Sequence, residues 1–178
     1  MTAAEDFPHP PLDDERIMRV LAERAVDYVL IGGLAAEAHG SQRATFDIDI
    51  VPDARAANLD RLAEALDVLD GRVIHAVVRE GDSVEVHVER PAWHGALIRD
   101  NPFLHVRTSA GDVDVLLAPD GLPEGYAQLL PGSVLIRPHD IPVRLAALDD
   151  IVASKRAAGR ARDLDALSEL EALQRARP

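Results

Sequence analysis

Two pairs of aspartates are spaced so that their carboxylates would share one face of a β-strand. Asp47 and Asp49 stand two residues apart in the segment TFDIDIV, and Asp112 and Asp114 stand two residues apart in GDVDVLL. Because successive side chains of a strand point to opposite faces, each pair sets two carboxylates against an apolar face. Paired carboxylates are typical ligands of Mg²⁺, which also takes phosphate oxygens.

One such pair alone is a weak signal, since 31 of the 178 residues are acidic and about five acid-x-acid pairs are expected by chance. The pair Asp163 and Asp165 is interpreted as helix capping and surface. Asp112 is either a solvated acid at a hairpin end or a ligand, and Asp114 is preferred because it sits deeper in its strand. In the first strand the alternation assigns Phe46, like Ile48, to the apolar face.

A strand, two glycines and a helix precede the first acidic strand. Residues 28–31 are apolar or aromatic and predict a buried strand, Gly32 and Gly33 interrupt it, and residues 34–39 predict a short helix. Glycine lets the backbone approach a ligand, and the first amides of a helix are free to bind phosphate. An ordinary strand-to-helix turn remains the alternative. Carboxylates beside a phosphate would repel it unless divalent cations lay between them.

Composition limits the classes of partner. The formal net charge is −12, so an extended electrostatic contact with a nucleic-acid backbone is not expected, whereas a cationic small substrate or a partner protein suits the charge. The six aromatic residues show no clustering along the sequence and give little sign of a base-stacking platform. There are no cysteines, which excludes disulfides and thiolate metal sites.

The sequence predicts a single domain over residues 1–178, beginning with a loose acidic and proline-rich arm over residues 1–12. That arm does not read as a signal peptide, and no apolar run is long enough to span a membrane, so a cytoplasmic protein is expected.

Periodicity predicts an α/β fold in which helices flank a short mixed sheet carrying three aspartates. A C-terminal pair of helices is expected over residues 146–178, with Leu164, Leu167, Leu170 and Leu173 inside. Asp53 is predicted to cap a helix that runs to Leu69. The remaining predicted elements are helices at 13–25, 91–98 and 124–130, strands at 72–78, 83–89, 133–136 and 141–145, and a hairpin of 103–108 with 112–117.

Only one lysine, Lys155, accompanies eighteen arginines. It follows Leu148, Ile151 and Val152 at helical spacing, so it lies on the apolar stripe of its helix. It either points inward or along the rim of a cleft, or lays its stem on the core with the ammonium in solvent.

The ordered set of GG, RATFDID, GDVDVLL and KRAAGRARDLDAL resembles the nucleotidyltransferase superfamily that includes DNA polymerase beta. It looks most like the small bacterial minimal and abortive-infection-type members, several of which are toxins of toxin–antitoxin pairs. The resemblance covers residues 28–173. It implies a Mg²⁺-dependent enzyme, with Mn²⁺ as an alternative metal, that moves a nucleoside monophosphate from a nucleoside triphosphate to an acceptor hydroxyl.

The resemblance also assigns residues. Asp47, Asp49 and Asp114 would hold two metal ions, and with Lys155 they are the catalytic set. Gly32, Gly33, Lys155 and Asp163 would bind the nucleotide, and Arg43 is either a phosphate clamp or a surface charge. The family favours a transfer RNA end as acceptor and an antitoxin protein as partner, while an antibiotic or a protein hydroxyl remains an alternative acceptor.

Many family members carry serine where this chain has Gly33, so a hydroxyl contact to phosphate is missing. This departure leaves open a catalytically silent module that binds a nucleotide or a partner. A helical ribonuclease is a further alternative because Arg99 and His105 show the Arg-x5-His spacing, although Pro102 and the strand after it argue against a helix at His105. A P-loop NTPase is excluded, because the only lysine does not follow the required glycine.

Overall fold

One mixed sheet organises the part of the chain that the computed structural model describes, residues 2–3, 10–78 and 84–176, with 2–3, 76–78 and 84–85 described in backbone only. The strand order is β1-β5-β4-β6-β7-β3-β2-β9-β8. The β3–β7 and β2–β9 pairs are parallel, and the other neighbours are antiparallel. The strands are β1 Thr2–Ala3, β2 Tyr28–Ile31, β3 Asp47–Pro52, β4 Arg72–Val78, β5 Val84–Glu89, β6 Phe103–Thr108, β7 Gly111–Leu116, β8 Val134–Ile136 and β9 Val143–Leu145.

Helices complete the predicted α/β fold, which is confirmed. They are α1 Asp14–Glu23, α2 Gly32–Ala38, α3 Ala56–Val68, α4 Gly95–Asp100, α5 Tyr126–Leu129, α6 Leu148–Ala158 and α7 Ala161–Arg175. The predicted C-terminal pair is α6 and α7, which pack against each other. Gly159 separates them in the left-handed conformation, with φ +62. None of the described helices is long and apolar enough to cross a membrane.

The apolar face of the acidic strands lies in the core. Ile48, Ile50, Val113 and Val115 are at most 1% exposed, because they alternate with the aspartates along β3 and β7. The leucine face of α3 is buried as predicted, and each such side chain contributes about 1.5–3 kcal/mol of burial free energy; its members are Leu59, Leu62, Leu66 and, just past the helix, Leu69.

The hairpin of β6 and β7 is confirmed, although β7 begins at Gly111 rather than at Asp112, and the observed register positions the functional side chains. Thr108 pairs with Gly111, which places His105 opposite Asp114. Strand β7 then pairs in parallel with β3, so that Asp114 lies beside Asp49. The two acidic strands are therefore neighbours in the sheet, and their carboxylates share one face.

Three local predictions are wrong. Phe46 is 74% exposed, because β3 begins only at Asp47 and the alternation of the strand does not reach it. Asp53 does not cap α3; its carboxylate accepts hydrogen bonds from the backbone and side chain of Arg55 at 2.9 and 2.8 Å, and the helix begins after that residue. Leu164 is 50% exposed, since α7 turns Asp163 inward instead.

Other boundaries shift. Helix α2 begins at Gly32 rather than at residue 34, α4 occupies Gly95–Asp100 in place of a turn over 91–98, and α5 covers only part of 124–130. The described part of the arm predicted over residues 1–12 is not loose. Strand β1 pairs with β5, and Leu12 packs on the core. Residues 1 and 4–9 of that arm lie outside the described residues.

Candidate active site

The three predicted metal ligands come together on β3 and β7. Asp49 and Asp114 are partners in the parallel register, and Asp47 is paired with Asp112 two residues earlier. Asp114 is buried, while Asp47 and Asp49 are partly buried. Burial, followed by the negative charges of Asp47 and Asp114, raises the pKa of Asp49 to about 7. The fold thus concentrates more negative charge at this point than the metal-free protein can accommodate easily.

Gly32 and Gly33 lie directly over the first acidic strand. Gly32 has φ +73, and a Cβ there would lie 1.8 Å from Oδ2 of Asp49. The amide of Gly33 donates to the same oxygen at 3.4 Å. The close packing of the glycine turn against the carboxylate requires glycine at position 32.

Lys155 reaches the site from α6 and is paired with α7. Its Nζ donates to Oδ1 of Asp163 at 3.2 Å, and the lysine side chain is 19% exposed. The ammonium therefore does not lie in open solvent, and of the positions considered for Lys155 the structure shows one that lines a cavity. Asp163 is 7% exposed, so its interpretation as a surface acid is wrong. Asp165 is exposed, as expected.

A cavity of about 360 Å³ lies between the acidic face of the sheet and helices α6 and α7. Three arginines and Lys155 line this cavity, although the chain as a whole carries a net charge of −12. Arg43 is among them: it is exposed, and its guanidinium donates to the backbone carbonyl of Asp165 at 3.3 Å. The lining residues that carry charge are Arg43, Asp47, Asp49, Asp114, Asp120, Lys155, Arg160, Arg162 and Asp163. Such a mixture suits a polyanion bound together with cations.

Two aromatic rings also line this cavity. Phe46 is 74% and Phe103 is 56% exposed, although both side chains are large and apolar. The aromatic residues do not cluster along the sequence, but these two rings lie around one cavity in the folded protein. Sequence reasoning missed this pair because the two residues are 57 positions apart in the chain and approach the same cavity from different segments, Phe46 from the loop before β3 and Phe103 from β6.

His105 is a further residue of this site, although its sequence spacing from Arg99 suggested only a ribonuclease. It lies on β6, contacts Asp114 through Nδ1, and approaches Asp112 through Nε2 at 3.4 Å. Hydrogen bonds to Asp112 and Asp114 raise the pKa of His105 to about 10. Its strand position agrees with the argument against a ribonuclease, since only Arg99 of that pair lies on a helix. The predicted hairpin, with residues 109–111 as its loop, would set His105 opposite Val115; the observed pairing of Thr108 with Gly111 places it opposite Asp114.

Asp112 is buried and paired, so its interpretation as a solvated acid is wrong. Arg107 donates to it from Nε at 3.1 Å, and the residue is 4% exposed. Burial by itself would raise the pKa of Asp112, but hydrogen bonds from His105 and Arg107 outweigh burial and lower that pKa to about 2. Asp112 thus holds the side chains of His105 and Arg107 on β6 against β7.

We expect Asp112→Asn to lower the free energy of unfolding by about 2 kcal/mol at pH 7, from a pKa shift of about two units. A folded-state pKa below the unfolded value stabilises the protein above about pH 4, and this stabilisation is lost as the pH falls towards 2. Urea denaturation at pH 7 and at pH 2.5 checks it, with exposed Asp100→Asn as the matched control. A difference of equal size at both pH values contradicts the prediction.

Comparison with known proteins identifies the fold. No protein-family model and no curated protein matches the sequence. The crystal structure of the lincomycin-bound lincosamide antibiotic adenylyltransferase LnuA matches with a TM-score of 0.55 at 14% identity, over 92% of this chain and 99% of that one. The solution structure of the antibiotic-resistance factor ANT(2'')-Ia matches with a TM-score of 0.53 at 15% identity, over 91% and 87%. The chain has the nucleotidyltransferase fold.

The residues at the centre of this nucleotidyltransferase fold suit divalent cations. Carboxylate oxygens are the ligands that Mg²⁺ and Mn²⁺ prefer, and neutralising them would relieve the repulsion that raises the pKa of Asp49. Among the described residues, no group of three His, Cys, Asp or Glu side chains already forms a metal cage. Asp114 contacts His105, and Asp47 accepts a hydrogen bond from Thr45, so a cation would share these carboxylates with their present partners or displace them.

Proposed function

We propose that this protein is a metal-dependent nucleotidyltransferase that moves a nucleoside monophosphate from a nucleoside triphosphate to an acceptor hydroxyl. The observation that carries the proposal is the convergence of Asp47, Asp49 and Asp114 on two adjacent parallel strands, at the floor of a cavity that Lys155 also lines. The nucleotidyltransferase fold supports the same chemistry.

Each residue has a role in the transfer. The acceptor oxygen forms a bond to the α-phosphorus, the bond from that phosphorus to its bridging oxygen breaks, and pyrophosphate leaves. Asp114 accepts the proton of the acceptor hydroxyl. Asp47, Asp49 and Asp114 would hold Mg²⁺ or Mn²⁺, which supplies charge neutralisation and acidifies the acceptor hydroxyl.

The basic side of the cavity would hold the departing pyrophosphate. Lys155 is already oriented by Asp163, and together with the amide of Gly33 it can donate to phosphate oxygens. Arg43 lines the same cavity and is exposed, which suits a phosphate clamp. Preorganised donors of this kind act on charge that develops on the leaving group.

The acceptor that we favour is a cationic small molecule. A net charge of −12 disfavours a long nucleic-acid backbone but attracts cationic compounds. Both solved structures compared above are antibiotic-modifying or antibiotic-resistance proteins by name, which agrees with such an acceptor. An RNA end, including that of transfer RNA, is the second candidate, and the exposed rings of Phe46 and Phe103 favour it because bases stack on aromatic side chains.

The deciding experiment measures pyrophosphate release from each of the four nucleoside triphosphates, with Mg²⁺ or Mn²⁺. The acceptors offered are an aminoglycoside, a lincosamide and total RNA, and Asp47→Ala/Asp49→Ala is the control. Release by the unmutated protein alone supports the proposal and names the nucleotide and the acceptor class. No release, combined with nucleotide binding in calorimetry, would favour a silent nucleotide-binding module instead.

A further inference from the structure

Thr45 fills the space that a side chain at position 33 would need. A Cβ on Gly33 would lie 2.5 Å from Oγ1 and 2.8 Å from Cβ of Thr45, closer than real Cβ atoms approach. The second contact involves the threonine Cβ, which a side-chain rotation cannot move away. A serine at 33 therefore fits only if Thr45 shifts. The glycine turn itself carries no hydroxyl, but the hydroxyl of Thr45, in the segment before β3, lies beside it.

The Thr45 hydroxyl is also in a suitable place to serve a ligand. It lies 3.0 Å from Oδ1 and 3.3 Å from the backbone carbonyl of Asp47, and it lines the same cavity as Gly33 and Lys155. A hydroxyl has one donor hydrogen and two acceptor positions, and its hydrogen can be redirected by rotation about one bond. The same hydrogen can therefore turn from Asp47 to an acceptor that enters the cavity.

We propose that Thr45 donates a hydrogen bond to a phosphate oxygen of the bound nucleoside triphosphate, in place of a serine at position 33. The assignment rests on the proposed function and adds a nucleotide-binding residue to it. A phosphate oxygen is an anionic acceptor, so the bond is charge-assisted and stronger than one between neutral groups. In this arrangement Gly33 leaves room for Thr45, and Thr45 provides the hydroxyl.

The first test replaces the hydroxyl by a methyl group. Thr45→Val should raise both the KM for the nucleoside triphosphate and the Kd for a non-hydrolysable analogue by about tenfold to hundredfold, as for loss of a hydrogen bond to a charged group. Thr45→Ser keeps the hydroxyl and should restore both constants. The Mg²⁺ concentration for half-maximal activity, at saturating nucleotide, should stay unchanged.

Other results overturn the inference. If Thr45→Val changes only the Mg²⁺ requirement, the hydroxyl orients Asp47 and does not bind nucleotide. If it changes neither constant, the hydroxyl has no part in binding. An unmutated protein without binding or turnover of any nucleoside triphosphate would instead refute the proposed function itself, so the two failures are distinguishable.

A second test exchanges the two side chains. Gly33→Ser alone should weaken nucleotide binding, because the serine displaces Thr45. Thr45→Gly in the same protein removes the obstructing Cβ and leaves the hydroxyl on residue 33. The double variant should bind the nucleotide at least about threefold more tightly than expected from adding the losses in binding free energy of Gly33→Ser and Thr45→Gly. Substitution effects at residues in contact are not additive. Additive losses would contradict the paired arrangement.

Discussion

Asp49→Asn should abolish nucleotide transfer, by at least about a thousandfold, as expected for loss of a central charged group in the site. The same change should make the metal-free protein more stable at pH 8. Burial and the charges of Asp47 and Asp114 raise the pKa of Asp49 to about 7. Between about pH 4 and 7 the unfolded chain has lost a proton that the folded chain keeps, so the free energy of unfolding falls as the pH rises through this range.

Asparagine carries no charge and removes that penalty, which amounts to up to about 4 kcal/mol for a shift of about three pKa units. Its side-chain oxygen can still accept the hydrogen bond from the Gly33 amide. Urea denaturation in EDTA at pH 5 and pH 8, beside pyrophosphate release at saturating Mg²⁺, measures both effects. Asp100→Asn, an exposed aspartate outside the cavity, is the matched control.

Retained transfer in Asp49→Asn, or a loss of stability at pH 8, would contradict this account. Mg²⁺ provides an internal check, because a ligand that binds only the folded state stabilises it. The unmutated protein should gain stability with added Mg²⁺ at pH 8, while Asp49→Asn should gain much less. The carboxylates are then a site that is unfavourable when empty and favourable when a cation is bound.

The acidic strands and the place of Lys155 on the apolar stripe of its helix could be predicted from the sequence because their signals are local. Alternation along β3 and β7 places Asp47 and Asp49 on one face and Asp114 on the corresponding face of its strand. Helical spacing places Lys155 on the packed side of α6. Each pattern needs only its own segment, whereas the register of the hairpin depends on whether Gly111 belongs to the turn or to β7.

Contacts between distant segments could not be predicted in this way. Thr45 beside Gly33, and Phe46 with Phe103 around one cavity, depend on how the sheet and the helices pack. Asp163 is a further case: its local sequence resembles a solvated helix start, whereas the structure buries it beside Lys155 and leaves the neighbouring Leu164 exposed.

Gly32→Ala should damage both stability and transfer. The residue has φ +73, a region that costs an L-residue about 1–2 kcal/mol. Its new Cβ would also lie 1.8 Å from Oδ2 of Asp49, so the carboxylate must move. We expect the free energy of unfolding to fall by about 2 kcal/mol or more and transfer to fall by about a hundredfold, as for a reacting group displaced by about 1 Å.

Gly132→Ala is the control, because a Cβ there meets only ordinary contacts at 3.5 and 3.6 Å. Denaturation without metal or nucleotide can distinguish two reasons why glycine is needed at position 32, the positive φ and the closeness of the Asp49 carboxylate. In an Asp49→Gly background the obstruction is gone, and Gly32→Ala should then cost only the backbone strain of about 1–2 kcal/mol. An equal cost in both backgrounds would mean that the carboxylate does not require glycine. A larger cost beside Asp49 would show that this glycine is required by the proposed metal ligand beneath it, before any phosphate binds.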